Sequence, residues 1–139
     1  MTAKVVLDTN LWVYLYAQNV PDKQTPVKAL VSTHFDSIVL TAQVLGELYH
    51  VLTRKKLVTT AVAREIILEM VKTFPVLEVD AVKVITALDI HERYHYSYWD
   101  SLILATAALH DCETVYTEDM QHEQLIEDKV RIINPFLIA

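Results

Sequence analysis

The chain has 139 residues, one cysteine, one glycine and a formal net charge of −6, so residues 1–139 fit a single domain large enough to bury a proper core. The lone cysteine, Cys112, excludes an internal disulfide and fits a reducing cytoplasm, while the lone glycine, Gly46, excludes every glycine-rich phosphate loop. The negative charge counts against a nuclease that gathers nucleic acid by bulk attraction alone, so bound divalent cations and local basic clusters would have to offset it.

Lys4–Leu7 is an apolar, β-branched run that ends at Asp8-Thr9-Asn10, which predicts a buried strand feeding straight into a helix. That first helix is predicted over residues 11–17, and the next over 25–34 with Pro26 in its first turn, where proline is tolerated. A second strand is predicted over 37–40. Thr41 then caps a helix over 42–54. A helix over 60–73 follows and Pro75 ends it. Residues 76–79 read as a third strand, and Asp80 caps a helix over 81–93. The aromatic stretch Tyr94–Trp99 leads into a helix over 100–110. Residues 114–116 are a fourth strand, 120–126 a short helical or irregular segment, and 130–133 a fifth strand closed by Pro135. Short, wholly apolar strands alternate with helices, the pattern of an α/β fold whose parallel sheet is covered on both faces. No apolar run approaches the ~18–20 residues of a membrane span. Met1-Thr2-Ala3-Lys4 lacks the basic start and long apolar stretch of a leader. A cytoplasmic location away from membranes is the expectation.

Four acids stand out. In open α/β sheets ligands gather beyond the carboxyl ends of the strands. Asp8 follows the first strand and Asp119 follows the fourth, so both belong to that rim. Val44, Leu48 and Val51, at −3, +1 and +4 from Glu47, place it on or beside an apolar helix face. Asp100 shares a face with Ile103, Leu104 and Ala107 at a helix N-terminus, which favours negative charge. Taken singly, Asp8 and Asp119 read as an ordinary cap and turn, and Glu47 or Asp100 as partners of Arg54 or Arg93. Taken together, four carboxylates on one rim repel each other. Mg²⁺ or Mn²⁺ relieves that repulsion with oxygen ligands and retained water. Such an ion activates water and stabilises charge on a cleaved phosphodiester.

Several segments also resemble PIN-domain ribonucleases. Val6-Leu7-Asp8-Thr9-Asn10 resembles the family's opening motif. The segment from Thr41 to Tyr49 resembles the second motif, with Glu47 as its acid, and that from Tyr96 to Ala105 the third, with Asp100. The segment from Val115 to His122 resembles the fourth, with Asp119, and Ile133-Asn134-Pro135-Phe136 resembles the closing strand. The ordered set is most similar to the VapC toxins of bacterial toxin–antitoxin pairs. The resemblance implies a three-layer α/β/α sandwich around a parallel sheet of four to five strands. It also implies Mg²⁺- or Mn²⁺-dependent cleavage of RNA, a homodimer and a VapB-type antitoxin. Asp8, Glu47, Asp100 and Asp119 match the acidic metal ligands, and Asn10 and Thr117 match supporting polar positions. Two departures stand out: such relatives tend to carry glycine where this chain has His110-Asp111-Cys112, and again at Glu123.

Other patterns compete. His91-Glu92-Arg93-Tyr94-His95 matches the HExxH of zinc proteases, but an aromatic stretch follows where that helix should continue. Arg54-Lys55-Lys56 ends the Glu47 helix, where cations ordinarily partner the dipole. Arg54 lies two turns from Glu47 on nearly the same face, which makes it a candidate for orienting phosphate. The tyrosines and Trp99 of the aromatic stretch pack in the core or a dimer, or stack bases. A PIN-fold module that binds RNA or protein without cutting is the alternative function. A phosphoacceptor receiver would need a second acid beside Asp8 and a lysine after Ile133, and neither is present.

Overall fold

Strands β1 (Val5–Leu7) and β4 (Thr114–Tyr116) are buried at every residue, including consecutive ones whose side chains point to opposite faces. Both faces of the sheet are therefore covered, as parallel sheets require. In this computed structural model residues 3–138 are described; Met1 and Thr2 of the predicted leaderless start, and Ala139, lie outside them. β1 pairs in parallel with β4, and β4 in parallel with β6 (Val130–Ile133). On the other side of β1, a parallel bridge from Val5 to Ile38 leads into β2 (Leu40–Thr41), which pairs in parallel with β3 (Val76–Leu77). β5 (Leu125–Ile126) adds an antiparallel edge to β6.

The helices form two groups. α6 (Tyr98–Leu109) packs on β4 and β6 and carries α5 (Ala81–Tyr94). α1 (Thr9–Tyr14) packs on α2 (Pro21–His34) and α3 (Ala42–Arg54), and α3 on α4 (Thr60–Thr73). The result is the expected α/β/α architecture. Residues 101–108 of α6 are all buried, as a helix that is apolar all round must be.

Most departures from the predicted elements have local causes. α1 stops at Tyr14 because the Gln24 amide takes the carbonyls of Tyr14, Leu15 and Ala17. α2 starts a turn early, since Pro21 occupies its first position with φ already set for a helix. Pro26 thus lies inside α2, not in its first turn. The strand predicted over 37–40 shifts to the two residues Leu40–Thr41, with Ile38 making an isolated bridge before it, and that over 76–79 shrinks to Val76–Leu77. The segment over 120–126 is irregular and ends in β5. Among the described residues seven non-glycine residues adopt positive φ, Asp111 and Glu123 included. Those two fall where the resemblance led us to expect glycine. No helix among the described residues is long and apolar enough to cross a membrane.

Candidate metal centre and active site

The C-terminal ends of β1 and β4 meet through one hydroxyl. Asp8 ends β1, and its backbone N–H donates to the Tyr116 carbonyl at 2.9 Å, which locks it beside β4. Its carboxylate caps α1 by accepting from the Thr9 N–H at 2.8 Å and accepts from the Thr117 hydroxyl, also at 2.8 Å. Thr117, fully buried, accepts in turn from the Asp119 N–H at 3.1 Å. The Asn10 amide donates to the Asp119 carboxylate at 2.9 Å. Asp8, Asn10, Thr117 and Asp119 thus form one hydrogen-bonded set.

Asp100 and Glu47 reach the same region from helices. Ser97 caps α6 by accepting from the Asp100 N–H at 3.1 Å, which holds Asp100 in the first turn. That serine, three residues ahead of the acid, is a legible cap signal; it moves the start of α6 from the predicted Asp100 to Tyr98. Glu47 differs from expectation. The buried positions of α3 are Val44, Leu45, Leu48 and Leu52, and Glu47 lies at the margin of that stripe, exposed at the mouth of a groove.

The electrostatics join all four. Burial pushes the Asp8 carboxyl up to about 6, and the charges of Asp100 and Asp119 push the same way, against the hydrogen bonds from Thr117 and Thr9. Asp100 is raised by burial and then by Asp119, against the bond from Ser97. Glu47 is raised by loss of water, although much of its side chain remains exposed, and further by Asp100, while a bond from Gln43 opposes this. None of the four forms an ion pair with a lysine or arginine among the described residues. Arg93 pairs with Glu127 instead.

The donor set suits a hard divalent ion: carboxylate oxygens, a supporting amide and a hydroxyl, with no thiolate or imidazole among them. Among the described residues no three His, Cys, Asp or Glu side chains close into a finished metal cage. Mg²⁺ does not need one, since it is commonly held by one or two carboxylates and keeps several waters. Asp8 and Asp100 would hold it, with Asp119 and Glu47 beside them.

The PIN-domain family model matches residues 5–127. The chain belongs to the PIN domain family. No curated protein sequence matches it, but solved structures share its fold. A toxin–antitoxin complex from Klebsiella pneumoniae superposes with a TM-score of 0.73 at 17% identity, covering 97% of this chain and 100% of that one. A sarcin–ricin-loop-cleaving VapC toxin of Mycobacterium tuberculosis gives 0.70 at 19% identity, over 84% of this chain and 90% of that one. DNA-bound VapBC from Salmonella typhimurium gives 0.69 at 18% identity, over 94% and 97% respectively.

In this PIN domain Glu118 is distinguished from Asp119 by its partners. One Glu118 oxygen accepts from Lys23 at 2.8 Å and the other from the Tyr14 hydroxyl. Lys23 also lies 4.1 Å above the Phe136 ring. Sequence reasoning missed this clamp, whose halves lie 95 residues apart. The HExxH motif is broken by the fold: α5 ends at Tyr94, and His95 is a left-handed cap outside it. The aromatic stretch divides. Tyr94 and Tyr96 accept the N–H groups of Glu127 and Gln121, each at 3.0 Å, and so pin the loop before β6. Trp99 is 62% exposed.

Proposed function

We propose that this PIN domain is a divalent-metal-dependent endoribonuclease and the toxin of a VapBC-type pair. The observation that carries the reading is a rim of four carboxylates without cationic partners, with the most buried, Asp8, raised to about 6. A carboxylate left unpaired and partly buried is costly unless a ligand compensates it. Mg²⁺ or Mn²⁺, when bound, supplies an activated water and stabilises charge on the phosphodiester. Asp8 and Asp100 hold the ion, and Glu47 and Asp119 complete the acidic set. Thr117 orients Asp8 through its hydroxyl, and Asn10 orients Asp119 through its amide. RNA is cut to leave a 5′-phosphate and a 3′-hydroxyl.

Arg54 is exposed at the end of α3, about 10 Å along the axis from Glu47, and orients a neighbouring phosphate. The toxin–antitoxin and VapBC complexes among the structural relatives support a VapB-type antitoxin as partner. The exposed apolar residues Val82, Ile85 and Leu88 on α5 support a homodimer. A cytoplasmic location completes the reading.

The test incubates structured RNAs with the protein and Mg²⁺ or Mn²⁺, with and without chelator, beside Asp8→Asn and Asp100→Asn. Cleavage should need the metal and both acids. Cleavage that survives chelation or either substitution defeats the mechanism, and binding without cleavage under any condition favours a silent RNA-binding module.

A further inference from the structure

We infer that the groove between α3 and the start of α6 is a stacking site for an unpaired nucleobase, with Trp99 as its platform. The inference rests on the ribonuclease reading and assigns it a base-binding subsite beside the metal centre.

The groove has a volume of about 460 Å³ and is walled by Trp99, Leu102, Val79, Gly46 and Glu47. That volume falls within the roughly 300–1,000 Å³ of small-molecule sites, and the walls are mostly apolar. Glu47 belongs both to the groove and to the acidic rim. Trp99 immediately precedes Asp100. An occupant of the groove is therefore continuous with whatever sits at the metal centre, and a base is the part of an RNA strand that lies beside its phosphodiester.

Three features fit a flat, neutral, aromatic occupant. Trp99 is a large ring left 62% exposed, while the other tryptophan, Trp12, is 3% exposed in the core. Its backbone is anchored by the Gln43 amide, which donates to the Trp99 carbonyl at 2.9 Å, and Tyr98 meets the ring edge-on with centroids 5.0 Å apart. An indole held in this way stacks a base at little entropic cost, and because every base has a π-face the contact tolerates any sequence. The third feature is Gly46. The only glycine of the chain sits inside α3, where glycine is unfavourable, yet a Cβ there would meet nothing within 4 Å. No packing inside the molecule calls for it. Its missing side chain instead keeps the groove deep.

The test reads Trp99 emission in the whole protein and, for the wild type and every variant alike, the anisotropy of a dye on the RNA end, with Ca²⁺ replacing Mg²⁺ so that RNA stays uncut. The probes are a short single-stranded RNA of mixed sequence, the same strand annealed to its complement, and an abasic strand of equal length. The single strand should quench Trp99 and bind about 5- to 150-fold tighter than the abasic strand, the value of one stacked base, and the duplex should quench far less. Trp99→Ala and Gly46→Leu should lose that advantage in the anisotropy titration, while Trp99→Phe keeps most of it; an unchanged circular dichroism spectrum shows that each variant is folded. Equal binding of the abasic strand, or unchanged binding by Trp99→Ala, overturns the proposal. So does a Trp99 signal that shifts with protein concentration without RNA, since the groove is then an interface between copies. If the wild type stacks single strands but cuts none with Mg²⁺ or Mn²⁺, the groove stands and the ribonuclease reading falls. If RNA is cut and Trp99→Ala cuts it with the same KM, the ribonuclease reading stands and the groove falls.

Discussion

Glu118 and Asp119 are neighbours in sequence and opposites in circumstance. Glu118 is enclosed by Lys23 and Tyr14 and ties the loop after β4 to the first two helices. Asp119 receives only neutral donors, the Asn10 amide at its carboxylate, while its own N–H is taken by the Thr117 hydroxyl. Asp8 and Asp100 likewise lack cations. The fold thus neutralises one acid of the region and leaves the others facing each other. Acids of the first kind hold the structure together. Acids of the second kind destabilise it, and a ligand that neutralises them recovers the loss.

The sharpest way to break this contrast is by substitution. Asp8→Asn and Asp100→Asn should each lower metal-dependent cleavage by about 1,000-fold or more, the order expected when several kcal/mol of charge stabilisation is lost. Glu118→Gln should leave the chemistry largely intact. Single-turnover cleavage assays with equal protein check both.

A pH titration of the metal-free protein gives the next largest effect. Asp8 has its folded pKa raised from 3.8 to about 6, so between those values the native state holds more protons than the unfolded state. Stability should therefore fall as pH rises through that window, by at most about 2–3 kcal/mol from this group. Asp100 and Glu47 are shifted in the same direction and add to the slope. Asp8→Asn should flatten the curve and match or exceed the wild type at pH 7, as read by urea unfolding. Mn²⁺ should stabilise the wild type above about pH 6 and progressively less below it.

Breaking the clamp should act the other way. Lys23→Met leaves the half-buried Glu118 without its cation and should cost about 1–3 kcal/mol at pH 7, with little change in metal affinity. Smallest of all, Asp111→Gly and Glu123→Gly relieve left-handed backbone at φ of 56° and 69°. Each should stabilise the fold by about 1 kcal/mol or less, visible as a small rise in Tm.

Where the local chemistry is strong, the sequence is legible. The ends of α3 and α4 lie where the predictions put them, because Thr41 caps α3, Thr59 caps α4, and Pro75 follows the latter. β4 and β6 are bounded by turn residues and also match. Asp8, Asp100 and Asp119 are brought together by a topology that short, wholly apolar strands announce. What escapes depends on contacts between distant residues. The Gln24 amide that ends α1 and the Lys23–Glu118 pair are tertiary, and no spacing rule reveals them. The exposure of Glu47 turns on a rotation of one residue relative to Leu48, finer than an apolar stripe can specify. The antiparallel β5 is two residues long and too short to carry a periodicity.

Mn²⁺ binding followed by electron paramagnetic resonance is the most direct test of the central claim, because it needs no knowledge of the RNA. At about pH 7.5, where the raised Asp8 carboxyl is ionised, the wild type and Glu118→Gln should bind Mn²⁺ alike, while Asp8→Asn and Asp100→Asn should lose most of that affinity. Binding that survives in both aspartate variants, or that disappears in Glu118→Gln, would contradict the assignment of the unpaired acids as the metal site.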